Sequence, residues 1–118
     1  IKRSYKSNIP IEIIGSGSKK GIGKPIQCAK TLNLSKLDGI IEYKPEELYI
    51  KVKAGTRIDV IENELKKNNQ QLAFEPIDFG FFLNGESDYG TAGGQVACNI
   101  SGFLLDFCWI VAGFLLDF

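Results

Sequence analysis

Histidine is absent from this 118-residue chain. Its absence removes Ser-His-Asp and Cys-His nucleophilic sites, and the usual His-ligated metals, from any chemistry the chain performs alone. Chemistry here is therefore expected to come from a cofactor. A surplus of either charge is lacking too, since 14 Lys plus Arg balance 14 Asp plus Glu. No basic excess points to nucleic acid, and no acidic tail points to a solvating role. Cysteines number only three, Cys28, Cys98 and Cys108, with no C-x-x-C among them. That pattern indicates neither a disulfide framework nor a zinc site, and a reducing cytoplasm fits it. Asp78, Glu86 and Asp88 lack metal-ligand spacing, so no metal is expected. No signal peptide is visible, and because residue 1 is Ile rather than Met, an upstream segment is expected.

What the chain has is glycine in two clusters, Gly15-Ser16-Gly17-Ser18 and Gly90-Thr91-Ala92-Gly93-Gly94. Either alone reads as a plain turn. As a pair, each beside an apolar run, they suggest a backbone built to approach a bulky anion from two sides. Glycine permits close approach and positive φ, and successive N–H groups in a tight turn form an anion-binding nest. The ligand this favours is a nucleotide cofactor with a pyrophosphate. Lys19, Lys20 and Lys24 follow the first turn and could attract phosphate, but solvated lysines after a turn are the default reading.

The length suits one small domain with a modest core. Lys2-Arg3-Ser4-Tyr5-Lys6 reads as the last turn of a helix, and residues 10–14 as a strand stopping at Gly15. Further strands are expected at 31–34, 39–43, 48–54 and 71–74. Thr56 is a plausible N-cap for a helix over about 57–67, with Ile58, Ile61 and Leu65 on one face. Residues 76–90 read as a loop, and 95–100 as either a short strand or a helical turn. Cys98 is expected to be a small buried core residue. The fold class is α+β: a small mixed sheet with a flanking helix.

The end of the chain is anomalous. Gly102-Phe103-Leu104-Leu105-Asp106-Phe107 recurs verbatim as Gly113-Phe114-Leu115-Leu116-Asp117-Phe118. A transmembrane anchor needs a longer run, of about 20 apolar residues, and Asp106 and Asp117 interrupt this one. An amphipathic partner helix would not be apolar all round. The abrupt change of composition favours a third reading, that residues 103–118 are not native coding frame.

Two nucleotide motifs fail. The NTPase loop G-x-x-x-x-G-K-[ST] meets Ser18 in place of its first glycine and Pro25 in place of its hydroxyl residue. The Rossmann fingerprint begins at Gly15-Ser16-Gly17 but meets Lys20 at the third glycine, and Pro25 denies the following helix. A nest-type loop without a helix behind it remains.

The order of pieces resembles a known family. Ile11-Glu12-Ile13-Ile14-Gly15-Ser16-Gly17-Ser18-Lys19 comes first, then Val52-Lys53-Ala54-Gly55 leading into a helix. Leu72-Ala73-Phe74-Glu75-Pro76 follows, and then residues 90–102. Together they resemble the N-terminal part of the FAD-binding PCMH-type domain of vanillyl-alcohol-oxidase-family flavoproteins, and within it the glycolate-oxidase E-subunit branch. The resemblance covers residues 1–102, the first portion of such a domain. It implies that Gly15, Ser16, Gly17 and Ser18 wrap the FAD pyrophosphate through backbone N–H groups. It also places Pro76 in a rigid turn against the cofactor, and Gly90, Thr91, Gly93 and Gly94 in a second wall. Asn99, Ser101 and Gly102 would contact FAD or support that loop. Two departures stand out. Family loops commonly begin Arg-Gly-Gly-Gly where this chain has Ile14-Gly15-Ser16-Gly17, and they continue Pro-Arg-Arg where it has Phe103-Leu104-Leu105.

The function implied is FAD-dependent oxidation of a 2-hydroxy acid, most simply glycolate, by hydride transfer to the flavin. The implied partners are a second flavin subunit and an iron–sulfur subunit, with no nucleic acid. The location would be cytoplasmic, with membrane association only through those partners. The substrate half and the catalytic base are expected outside residues 1–102, so this chain alone should bind FAD weakly or not at all and be inactive. Other flavoenzymes of the same fold stay open: a lactate or sugar-acid oxidase, or UDP-N-acetylenolpyruvoylglucosamine reductase. So does a truncated fragment without activity.

Overall fold

The computed structural model describes residues 1–99; Ser101, Gly102 and the repeated tail at 103–118 lie outside the described residues. The chain opens with helix α1, Lys2–Lys6, and runs into strand β1, Ile11–Ile14. β1 pairs in parallel with β2, Lys30–Asn33, in the register Ile11↔Lys30 to Ile14↔Asn33. A parallel pair needs a crossover. Here the crossover is the glycine-rich stretch between the strands, which forms turns, bends and irregular chain with no helix.

Asn33 ends β2 when its side-chain oxygen accepts the Ser35 N–H at 2.8 Å, a local turn that competes with the ladder. Strands β3, Ile40–Lys44, and β4, Tyr49–Val52, then form an antiparallel hairpin with a bulge between Ile40 and Glu42. The hairpin closes through a 3-10 turn at Pro45–Glu47 and left-handed Leu48. The α+β class holds, and the small mixed sheet takes the form of two two-stranded sheets, one parallel and one antiparallel. A backbone bond rather than a shared ladder joins them. Gly55 N–H, just after β4, donates to Leu37 O in the segment after β2 at 2.7 Å, while Leu34 N–H donates to Ile14 O at 2.8 Å and extends the β1–β2 pair.

Helix α2, Ile58–Lys66, lays Ile58, Ile61 and Leu65 on Val52 of β4, with Ile40, Tyr43, Ile50, Leu72, Tyr89 and Ala92 around them. The three-and-four spacing of those apolar residues therefore makes the core. The expected N-cap is corrected. Thr56 is buried, and its hydroxyl accepts the Gly39 N–H at 3.0 Å and donates to Gly39 O at 3.2 Å. Arg57 becomes the N-cap with no side-chain bond. Thr56 thus ties the hairpin to the start of α2 instead of capping it.

Residues 71–74 form no strand and belong to neither of the two sheets among the described residues. The preceding Gln70 pins the segment instead, accepting from Tyr43 Oη at 2.6 Å and donating to Pro45 O at 2.7 Å. The expected loop at 76–90 contains helix α3, Phe79–Asn84. Residues 95–98 belong to helix α4, Ala92–Cys98, which settles the open choice between strand and helix. Among the described residues no helix is long and apolar enough to cross a membrane.

Candidate functional site

The first glycine turn leaves β1 at Ile14 and folds on two backbone bonds. Lys20 N–H donates to Gly17 O at 3.1 Å, and Ile22 N–H donates to Lys19 O at 3.0 Å. Gly17 supplies the positive φ of 81° that the turn requires. Among the described residues, the N–H groups of residues 15–19 donate to no protein acceptor. The hydroxyls of Ser16 and Ser18 likewise have no protein partner there. A strand thus ends in a row of uncommitted donors, the arrangement that binds anions.

The second cluster is held by neighbours on both sides. Gly90 N–H donates to Asp88 Oδ1 at 2.9 Å, and Gly90 O accepts from Ile58 N–H at 3.1 Å. Ala92 N–H reaches Thr56 O at 2.8 Å, and Gly93 N–H reaches Ala54 O at 2.9 Å. Thr91 caps α4, its hydroxyl accepting from Gly94 N–H at 3.3 Å. Buried Gln95 donates to Ile77 O at 2.8 Å and Tyr89 O at 2.7 Å, locking the segment that carries α3 onto α4.

These two clusters meet. A Cβ added at Gly15 would fall on the Thr91 hydroxyl. One added at Gly90, where φ is +76°, would stand 2.7 Å from Ser18 Oγ, 3.3 Å from Lys19 Nζ and 3.6 Å from Ser16 Oγ. At Gly94 the nearest atoms would be Thr91 Oγ1 at 3.3 Å and Lys19 Nζ at 3.4 Å. Lys19 Nζ also lies 5.0 Å from the centroid of the Phe79 ring on α3. Asp88, the carboxylate beside Gly90, is occupied by the Gly90 N–H and by Arg57 Nη2 at 3.3 Å. Hydroxyls and one ammonium converge beside a turn whose amides are uncommitted, and groups of these kinds are the donor set for a phosphate. The two turns approach this closely because glycine carries no Cβ, and the donors gathered at their junction fit a diphosphate-bearing cofactor.

Of the residues singled out by sequence, the structure brings together Gly15, Ser16, Ser18, Gly90, Thr91 and Gly94. Gly17 shapes the turn. Gly93 serves differently, since its N–H is committed to Ala54 O and its Cα packs on Ala54, where a Cβ would sit 3.0 Å from Ala54 Cβ. Pro76 is buried next to Ile77, whose carbonyl Gln95 holds, so it belongs to the frame beneath α4. Asn99 is the left-handed C-cap at the far end of α4, about 10 Å along the helix from the turn at 1.5 Å per residue. Ser101 and Gly102 lie outside the described residues. Cys98 is exposed rather than buried, because it sits on the solvent side of the last turn of α4. Gln95 was not singled out, and Lys19, read by default as a solvated lysine, stands half-buried beside Gly90 and Gly94. A lysine after a turn carries no local signal, and Gln95 gains its meaning only from two carbonyls distant in sequence.

No cluster of His, Cys, Asp or Glu among the described residues could hold a metal. Asp78, once weighed for such a site, builds α3 instead. Its carboxylate accepts from Ser87 Oγ at 2.6 Å, Phe81 N–H at 2.9 Å and Asp88 N–H at 2.9 Å. The Ser87 hydroxyl foremost, with those amides, holds the Asp78 carboxyl below the ordinary carboxylate range. A carboxyl more acidic in the folded state stabilises above its unfolded value of about 3.9 and loses that contribution as pH falls through the folded value. The amide resonances of Phe81 and Asp88 are therefore expected to titrate together, with a midpoint below about 3.9. Asp78→Asn should abolish that titration, and a midpoint at or above the ordinary value would contradict the capping role.

Comparison with known proteins follows the geometry. The FAD binding domain family matches over residues 1–109. The glycolate oxidase subunit GlcE of Escherichia coli (strain K12) is 33% identical over 102 residues, covering 86% of this chain and 27% of that protein. The chain thus spans about a quarter of the length of the curated relative it matches. No solved structure gives a significant match. The chain belongs to the FAD binding domain family, with FAD as its cofactor.

Proposed function

We propose that the protein carrying this chain is a flavin-dependent oxidoreductase that oxidises a 2-hydroxy acid, glycolate first among the candidates. The observation that carries this reading is the meeting of Gly15, Ser16 and Ser18 with Gly90, Thr91 and Gly94 around open donors. The relative named a glycolate oxidase subunit supports the substrate class. FAD would supply the hydride acceptor. This chain's part is to hold the diphosphate: the 15–19 amides donate, Ser16 and Ser18 add hydroxyls, and the glycine wall admits the backbone close to the ligand. The residues that bind substrate and take its hydroxyl proton belong to the remainder of the protein. A second flavin subunit and an iron–sulfur subunit are the partners this reading carries, with a cytoplasmic location and membrane association only through them.

The test is anaerobic mixing of the FAD-loaded protein with glycolate, with lactate, and with UDP-N-acetylenolpyruvoylglucosamine plus NADPH. Bleaching of the flavin absorption band by glycolate is expected. Bleaching by NADPH with the sugar nucleotide, and none by either hydroxy acid, would contradict the proposal.

A further inference from the structure

We propose that Lys19 is the charge anchor of the site, its ammonium neutralising the diphosphate that the two glycine turns enclose. The inference rests on the FAD reading above and adds a residue to it. Three observations carry it. Lys19 is half-buried, although an exposed lysine is the norm after a turn. Its ammonium reaches both wall glycines, standing 3.3 Å from a Cβ position at Gly90 and 3.4 Å from one at Gly94. Among the described residues it also pairs with no carboxylate, whereas its neighbour Lys20 lies 4.0 Å from Glu12 Oε2.

The Phe79 ring, 5.0 Å below the ammonium, explains why the side chain stays folded back over the site. An aromatic face attracts a cation without neutralising it. Lys19 therefore meets an incoming anion without a carboxylate partner to displace, its side chain already held over the ring. The frame behind it is fixed, because Asp78 caps α3 and Gln95 binds both flanks of that helix to α4. Two uncharged hydroxyls, Ser16 and Ser18, stand on the same side of Gly90 and complete the donor set. A dianionic diphosphate buried against amides alone would remain under-compensated, and a single ammonium on this side changes that balance.

Lys19→Met keeps the aliphatic stem and removes the charge. In the protein carrying this chain, it is expected to weaken FAD binding about ten- to a hundredfold, the range for a hydrogen bond to a charged group. Lys19→Arg should recover most of that loss. Two further readouts separate charge from structure. Binding of FAD to the parent protein should weaken as sodium chloride rises, and Lys19→Met should lose most of that salt dependence. The phosphorus-31 resonances of bound FAD should move in Lys19→Met while the thermal midpoint of the apoprotein stays unchanged. A Lys19→Met variant that binds FAD within twofold of the parent, with equal salt dependence, overturns the anchor and leaves the FAD reading standing. A parent protein that binds no FAD overturns both.

Discussion

Gly90→Val is expected to reduce FAD affinity by about a hundredfold and to lower stability as well, through two separate effects. Gly90 sits at φ +76°, a backbone region that β-branched residues essentially never adopt. Holding Val there costs roughly 1–3 kcal/mol before any contact is considered. The added Cβ would then stand 2.7 Å from Ser18 Oγ and 3.3 Å from Lys19 Nζ, so the first turn must move off the wall. The strain lowers stability, whereas affinity falls because the first turn is displaced. Since each 1.4 kcal/mol is about tenfold in binding, losing about 3 kcal/mol of that turn's contacts to the ligand is about two decades. Gly23→Val is the control. Gly23 has nearly the same φ, +80°, but a Cβ there meets nothing within 4 Å. It should lower stability comparably and leave FAD affinity within about twofold. Equal loss of FAD in both variants would show that only backbone strain matters, and that the turns do not meet as described.

Gly55→Val is expected to have the largest effect on stability. Its Cβ would fall on the carbonyl oxygen of Leu34 and stand 2.7 Å from that of Leu37, both backbone atoms that cannot swing aside. Gly55 N–H also makes a backbone bond that joins the segment after β2 to the hairpin. Overpacking against rigid backbone costs about 3 kcal/mol or more. The thermal midpoint should fall by on the order of 10 °C, and the two sheets should separate in hydrogen exchange. Gly21→Ala tests specificity within the same glycine-rich chain, because a Cβ there makes ordinary contact with Leu83 at 3.4 Å. That variant should change stability by less than about 0.5 kcal/mol.

The two experiments bear on how much the sequence alone revealed. The amphipathic spacing of Ile58, Ile61 and Leu65 was sufficient to locate α2, because burial of one helical face leaves a periodic trace. The glycine clusters were legible as a pair, and the structure brings six of their residues into contact range. What those glycines do individually was not legible. Gly90 and Gly93 look alike in sequence, yet one faces the Ser16–Lys19 turn and the other is spent on packing against Ala54. Thr56 carries a capping residue's chemistry but is drawn to Gly39 by a contact across the fold. The α3 segment hides because Phe79-Gly80-Phe81-Phe82 shows no helical periodicity. The helix instead depends on Asp78 and on bonds reaching back from Ser87 and Asp88. Lys19 is the sharpest case. Only the approach of Phe79 and Gly90, both remote in sequence, distinguishes it from a solvated lysine.

The central claim is that the turn at 15–19 and the wall at 90–94 close on one ligand. Hydrogen exchange of the protein carrying this chain, followed by mass spectrometry with and without FAD, tests it most directly. The amides at 15–19 have no protein acceptor among the described residues, so without ligand they should exchange among the fastest in the domain. Added FAD should slow the 15–19 and 90–94 segments together while leaving the exposed end of α4 around Asn99 unchanged. Protection confined to one segment, or protection at Asn99 without protection at 15–19, would contradict the shared cradle.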